Sequence, residues 1–148
     1  MIQALAGEMK ERGIRPELEA FDLGMINYAL YLERKQLLSA PHYFNLLLGN
    51  IACAQADLLH AGLMVRDLPP GSYWSLAGIG DSQLTMNSIA IVAGGGVRVG
   101  LEDNLYLPDG ELSKSNGESV AKAVELARLV GVEPASVAEA REILGIPG

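Results

Sequence analysis

Short apolar runs alternate with amphipathic stretches along most of the chain. The apolar runs are bounded by proline, glycine or charged residues, which is typical of buried strands. Between them, apolar residues recur at three- and four-residue spacing, which predicts helices. The predicted strands span 16–24, 41–50, 73–80 and 95–103, and the predicted helices cover 2–12, the stretch from the first strand to Leu38, 54–65 and 83–93. Strands that alternate with single helices indicate parallel βαβ units with right-handed crossovers.

Two further helices are predicted near the C-terminus, each with a capping box at its start. Ser115 with Glu118, and Ser136 with Glu139, have the spacing at which serine and glutamate satisfy each other's free backbone donors. Glycines after each stretch predict the helix ends. No low-complexity segment or long linker interrupts the pattern, so we expect one α/β domain over residues 1–148.

Composition excludes several classes of function. Of 148 residues, 49% are hydrophobic, enough for a core, while a net charge of −7 without basic runs argues against a nucleic-acid surface. The single cysteine cannot form an internal disulfide. We expect a cytoplasmic protein without membrane contact, because neither a signal peptide nor an apolar run of membrane-spanning length is present.

The fourth predicted strand carries charge on one face only. Side chains alternate along a strand, so valine and leucine occupy one face of 97–102 while Arg98 and Glu102 occupy the other. In a doubly wound sheet, helices cover both faces and both would be apolar. In a β/α barrel, the inner face carries functional side chains near the C-terminal ends of the strands. The pattern therefore favours a barrel.

The charges suggest chemistry but do not establish it. Glu102 and Asp103 end the strand where catalytic groups of barrels collect, and Glu19 faces the same side from the first strand. Arg98 and Glu102 would lie about 13 Å apart on a regular strand, so a close pair needs a turn or bulge. A structural ion-pair network is an equally good explanation of this spacing.

Several segments resemble one known family in order and spacing. They are "PELEAFDLGM", "LAGIG", "GGGVRVGLEDNLYLPDGELSKSNGESV" and "AEAREILGI", which together extend over nearly the whole chain. They resemble the C-terminal half of the β-keto acid cleavage enzymes, of the 3-keto-5-aminohexanoate cleavage type. The resemblance implies the C-terminal half of a (β/α)8 TIM barrel, with four parallel strands, their helices and extra C-terminal helices, as a single partial barrel domain.

The resemblance also implies an activity and a set of site residues. Members of the family are zinc-dependent transferases that convert a β-keto acid and acetyl-CoA to acetoacetate and a new acyl-CoA, by a retro-Claisen type of cleavage. At "VRVGLEDN", Glu102 resembles the glutamate zinc ligand, Asp103 the catalytic aspartate, and Arg98 the arginine that works with it. At "PELEAF", Glu19 resembles the substrate-binding glutamate.

The sequence departs from the family pattern in its zinc ligands. The family binds zinc through a His-x-His pair as well as the late glutamate, and this sequence has only His42 and His60. We therefore expect incomplete activity unless the chain pairs with a second copy or with a complementary N-terminal half. The alternatives are a non-catalytic half-barrel subunit or interaction module and, further off, an unrelated α/β ligand-binding domain.

Overall fold

Four parallel strands form one sheet in the order in which they occur along the chain. The computed structural model describes residues 1–107 and 110–146; residues 108–109 and 147–148 of the predicted domain lie outside the described residues. The strands are β1 Glu17–Ala20, β2 Tyr43–Leu48, β3 Tyr73–Gly78 and β4 Gly96–Val97, in the order β1-β2-β3-β4. Right-handed crossovers that always step in one direction place the helices on one face of the sheet. The predicted α/β fold is confirmed, and the sheet is consistent with half of a β/α barrel.

The helices follow the predicted alternation, with shifted boundaries. They are α1 Ile2–Glu11, α2 Leu23–Arg34, α3 Leu58–Arg66, α4 Gln83–Val92, α5 Asn116–Leu129 and α6 Val137–Leu144, with a 3₁₀ turn at Gly80–Ser82. Asp22 does not extend β1 as predicted. Its carboxylate accepts from Met25 N at 2.9 Å and caps α2. None of the helices among the described residues combines the length and apolar character needed to cross a membrane.

The core lies between the sheet and its helices. Every second residue of the strands points to this side, and the helices supply the opposing apolar side chains. Fully buried members are Phe44, Leu46, Leu48 and Leu76 from the strands and Ile26, Met64, Met86 and Ala90 from the helices. The other face of the sheet carries the row Glu19, Asn45, Ser75 and Gly96, which are paired in register across all four strands. The sheet thus has one apolar and one largely polar face.

The predicted fourth strand over 95–103 is wrong beyond Val97. Arg98 N still donates to Leu76 O at 3.3 Å, and the chain then turns, with Asp103 N and Asn104 N donating to Gly100 O at 3.1 and 3.0 Å. The Asn116 side chain stabilises this turn by accepting from Leu101 N at 2.8 Å. Glu102 therefore lies in a turn and not on the inner face of a strand.

One of the two predicted capping boxes is complete. Ser136 and Glu139 satisfy each other's backbone donors at the start of α6. Ser115 accepts from Glu118 N at 3.2 Å, but the Glu118 carboxylate accepts from Lys114 N at 2.7 Å instead of from Ser115. The prediction at Ser115 is right for the serine and wrong for the glutamate, because the loop before α5 brings a different donor closer.

Gly78 is expected to be intolerant of any side chain. It ends β3, and a Cβ there would overlap the carbonyl of Ser82 and lie 2.8 Å from Gln83 N. Because both are backbone atoms of the turn into α4, Gly78→Ala should lower the free energy of unfolding by about 3 kcal/mol, measured by urea denaturation. Gly62→Ala is the matched control, since a Cβ at Gly62 in α3 meets nothing within 4 Å. Equal midpoints for both variants would contradict this account.

Candidate active site

The guanidinium of Arg98 contacts the other three residues predicted for the site. Arg98 Nε donates to Asp103 Oδ2 at 2.9 Å, and Nη2 approaches Asp103 Oδ1 at 3.4 Å and Glu102 Oε2 at 3.3 Å. Arg98 Nη1 donates to Glu19 Oε1. The structure therefore brings Arg98, Asp103, Glu102 and Glu19 together at the C-terminal end of β4. We call these four residues the Arg98 cluster.

The fold explains how side chains from opposite edges of the sheet meet. Glu19 belongs to β1 and Arg98 directly follows β4, so two strands lie between them. The intervening row on the polar face includes small side chains, Ser75 and Gly96 in register with Glu19, and Ala77 two residues further along β3. Together with Asn45 and Leu47 of β2, Ser75 and Ala77 lie between the two edge strands that the Arg98–Glu19 hydrogen bond links.

The four side chains differ strongly in their contact with solvent. Asp103 is 5% exposed and Arg98 22%, while Glu19 is 47% and Glu102 86% exposed. The two-point contact of Arg98 with the buried Asp103 carboxylate is the strong and well-oriented part of the cluster. The contact with Glu102 is solvated and weak. The Glu102 carboxylate can therefore turn away from Arg98 toward a different binding partner at little energetic cost.

Arg98 carries a permanent positive charge in this environment. Partial burial disfavours the charged guanidinium, but the hydrogen bonds that Arg98 donates to Asp103 and Glu19, together with the negative charges of these two residues, outweigh it and raise the pKa of Arg98 above its usual value. One cation faces three carboxylates, which leaves an excess of negative charge. The arrangement can hold a proton-transferring carboxylate in place and stabilise negative charge on a bound substrate.

A second polar network lies on the face of the sheet that carries Glu19, and the sequence pattern did not predict it. Tyr43 OH donates to Ser75 Oγ at 3.1 Å, Ser75 Oγ donates to Asn45 Oδ1, and Asn45 Nδ2 donates to Glu17 Oε1. Asn45 and Ser75 are buried. The available signal was a single polar residue inside each of two apolar strands. The network fixes the floor of the site below Glu19.

The residues that the structure describes do not by themselves fit a zinc ion. His42 is buried and its Nε2 lies 3.1 Å from Glu33 Oε1, while His60 Nδ1 lies 2.9 Å from the Asp57 carboxylate at the start of α3. Within 1–107 and 110–146, no three His, Cys, Asp or Glu side chains are grouped so that they could hold a metal.

Comparison with known proteins places these residues in a family context. The chain matches the model of the beta-keto acid cleavage enzyme family over residues 1–146. It is 44% identical to the 3-keto-5-aminohexanoate cleavage enzyme of Fusobacterium nucleatum, over 92% of this chain and 49% of that protein. It is 40% identical to the protein of the same name from Acetoanaerobium sticklandii, over 99% of this chain and 54% of that protein.

A third relative carries a different substrate in its name. The chain is 36% identical to the 3-oxoadipate:acetyl-CoA acetyltransferase of Cupriavidus necator, over 99% of this chain and 53% of that protein. The chain thus spans about half the length of the curated relatives it matches.

Proposed function

The chain belongs to the beta-keto acid cleavage enzyme family, and from this we propose that it supplies the arginine and carboxylate part of a β-keto acid cleavage site. The observation that carries the proposal is the Arg98 cluster. In it, one guanidinium contacts each of the three carboxylates that the family resemblance assigns to catalysis, zinc binding and substrate binding. A structural ion pair needs only one such partner.

The proposed reaction exchanges acyl groups between a β-keto acid and acetyl-CoA. The bond between the keto carbon and the adjacent methylene breaks, and the acyl group leaves on CoA. The acetyl group joins the remaining two-carbon carboxylate unit, which gives acetoacetate, so the atoms balance. In this proposal Asp103 moves the proton and Arg98 stabilises the negative charge that develops on oxygen. Glu19 contacts the substrate from the opposite edge of the sheet.

Glu102 is proposed as one ligand of a zinc ion, which would polarise the keto oxygen when bound. Its support is a highly exposed carboxylate that is held only weakly by Arg98. A catalytic zinc site uses about three protein ligands, and in this proposal the remaining ligands come from strands outside this sequence.

The unpaired edges of the sheet support the proposal that a partner completes the barrel. Among the described strands, β1 pairs only with β2 and β4 only with β3, and unpaired edges are prone to add further strands. We propose that a complementary half, or a second copy of the chain, closes the barrel over the face that carries the Arg98 cluster in the cytoplasm.

The proposal is tested by reconstitution. The chain is mixed with the half of the Fusobacterium nucleatum relative that it does not match, and 3-keto-5-aminohexanoate and acetyl-CoA are supplied. The expected result is acetoacetate formation by the mixture and none by either part alone. If the two parts associate, as judged by light scattering, and no acetoacetate forms, the chain is a non-catalytic half-barrel module.

A further inference from the structure

The turn that carries Asp103 depends on a side chain from α5. Asp103 N and Asn104 N both donate to Gly100 O, at 3.1 and 3.0 Å, and these hydrogen bonds close the turn. Because Leu101 directly follows Gly100, its N–H cannot reach the carbonyl that closes the turn and needs an acceptor elsewhere. Asn116 Oδ1 is that acceptor, at 2.8 Å from Leu101 N.

Two local features bring the Asn116 amide to this turn. A Cβ at Gly100 would lie only 3.2 Å from Asn116 Oδ1, so the glycine leaves room for the close approach. Asn116 is the first residue of α5, and Ser115 caps this helix by accepting from Glu118 N at 3.2 Å. The amide oxygen is therefore presented to the turn from a backbone position that the capped helix fixes.

The backbone of Asp103 is held on both sides. Its N–H takes part in the turn, and its carbonyl accepts from Gly80 N at 2.8 Å. Its carboxylate is 5% exposed and accepts from Arg98 Nε at 2.9 Å, with Nη2 at 3.4 Å from the second oxygen. An aspartate side chain is short, so the position of its backbone decides whether the carboxylate meets the guanidinium at both points. A displaced turn therefore weakens the contact between Asp103 and Arg98.

We propose that Asn116 is a positioning residue of the site, whose side-chain oxygen fixes the turn that presents the Asp103 carboxylate to Arg98 and to the substrate. This inference rests on the proposed function, in which Asp103 moves the proton. A proton-transferring group must lie within hydrogen-bond reach of the proton, and a misplacement of about 1 Å can lower the rate by about 10²-fold. Asn116 acts in this way through the turn, without taking part in the chemistry.

The test measures the hydrogen bond between Arg98 and Asp103 in the isolated chain. The Arg98 Nε–H gives a ¹H–¹⁵N signal, and its hydrogen bond to Asp103 slows the exchange of this proton with water. Asn116→Ala removes the acceptor of Leu101 N and should accelerate this exchange about tenfold, the effect of weakening one hydrogen bond to a charged group. Asn116→Asp keeps an oxygen at that position and should leave the exchange rate within about twofold of the parent.

Ser136→Ala is the matched control for a general loss of stability. Like Asn116, Ser136 is an exposed residue at the start of a helix, and its Oγ accepts from one backbone donor, Glu139 N at 3.3 Å. Both alanine substitutions remove one such acceptor and should lower the urea midpoint by similar amounts. Only Asn116→Ala should accelerate the exchange at Arg98, because Ser136 serves α6.

Three results of the exchange measurement would overturn the inference. They are an unchanged rate in Asn116→Ala, an equal acceleration in Ser136→Ala, and an equal acceleration in Asn116→Asp. If Asn116→Ala does not fold, Asn116→Gln replaces it, since glutamine keeps the amide but moves it by one methylene group. The same acceleration is expected for Asn116→Gln, and an unchanged rate would again overturn the inference.

Turnover of the reconstituted enzyme tests the consequence for the reaction. Asn116→Ala should lower kcat about tenfold with KM unchanged, whereas Ser136→Ala should leave both unchanged. An unchanged kcat in Asn116→Ala despite faster exchange would overturn the inference and leave the proposed function intact. If the parent complex forms no acetoacetate, the proposed function is wrong, while faster exchange in Asn116→Ala would still show that Asn116 fixes the contact between Arg98 and Asp103.

Discussion

Asp103→Asn is expected to lower kcat of the reconstituted enzyme by about 10²- to 10⁴-fold, the usual contribution of a general acid or base. Asparagine keeps the size of the side chain and can still accept a hydrogen bond from Arg98, but it does not take up a proton at neutral pH. KM should change little, because the position of Arg98 and the substrate contacts are retained. The measurement is the rate of acetoacetate formation at saturating substrate.

The chain contains a matched control for this substitution. Arg66 Nε donates to Asp67 Oδ1 at 2.8 Å, close to the 2.9 Å between Arg98 and Asp103, but this pair is exposed at the end of α3. Asp67→Asn should therefore leave kcat unchanged. If Asp103→Asn retains most of the activity, Asp103 serves Arg98 as a structural partner and does not transfer the proton.

Arg98→Lys is expected to lower kcat about 10²- to 10³-fold, the loss typical of removing one group that stabilises charge in the transition state. Lysine keeps the positive charge but lacks the planar fork that contacts Asp103 at two points while reaching Glu19 and Glu102. Because the charge near the buried Asp103 is retained, the free energy of unfolding should fall by much less than on removal of the charge.

Arg66→Lys provides the corresponding control, since a lysine can replace arginine in an exposed ion pair with little effect. Urea denaturation of both variants separates loss of folding from loss of chemistry. Equal kcat values for Arg98→Lys and the parent would show that the fork geometry has no part in the reaction.

The hydrophobic pattern was sufficient to predict the architecture. Alternating apolar runs and amphipathic stretches predicted parallel strands and helices, and four such strands are present. Strand boundaries were less predictable, because they depend on hydrogen bonds between distant residues. β4 ends at Val97 because the chain turns at Gly100. The Asn116 side chain that stabilises this turn belongs to α5, which lies later in the sequence.

The sequence predicted which residues form the Arg98 cluster, but not the distances between their side chains. Strand alternation placed Glu19 and Arg98 on one face, and the structure joins them. A regular strand would separate Arg98 and Glu102 by about 13 Å, whereas the turn brings their side chains to 3.3 Å. The catalytic, substrate-binding and zinc-binding roles of these residues stay predictions from the family resemblance.

The polar network that includes Asn45 and Ser75 depends on tertiary packing. Asn45 and Ser75 meet because β2 and β3 pair in a particular register, which the sequence of neither strand specifies alone.

We propose that this chain holds one part of a zinc-dependent site and that strands outside this sequence complete it. The most direct test is the zinc content of the purified chain alone and of its complex with the complementary half, with turnover measured on the same samples. Negligible zinc and no turnover are expected for the chain alone, and about one zinc per complex with acetoacetate formation is expected for the complex. Full zinc occupancy together with turnover by the isolated chain would contradict it.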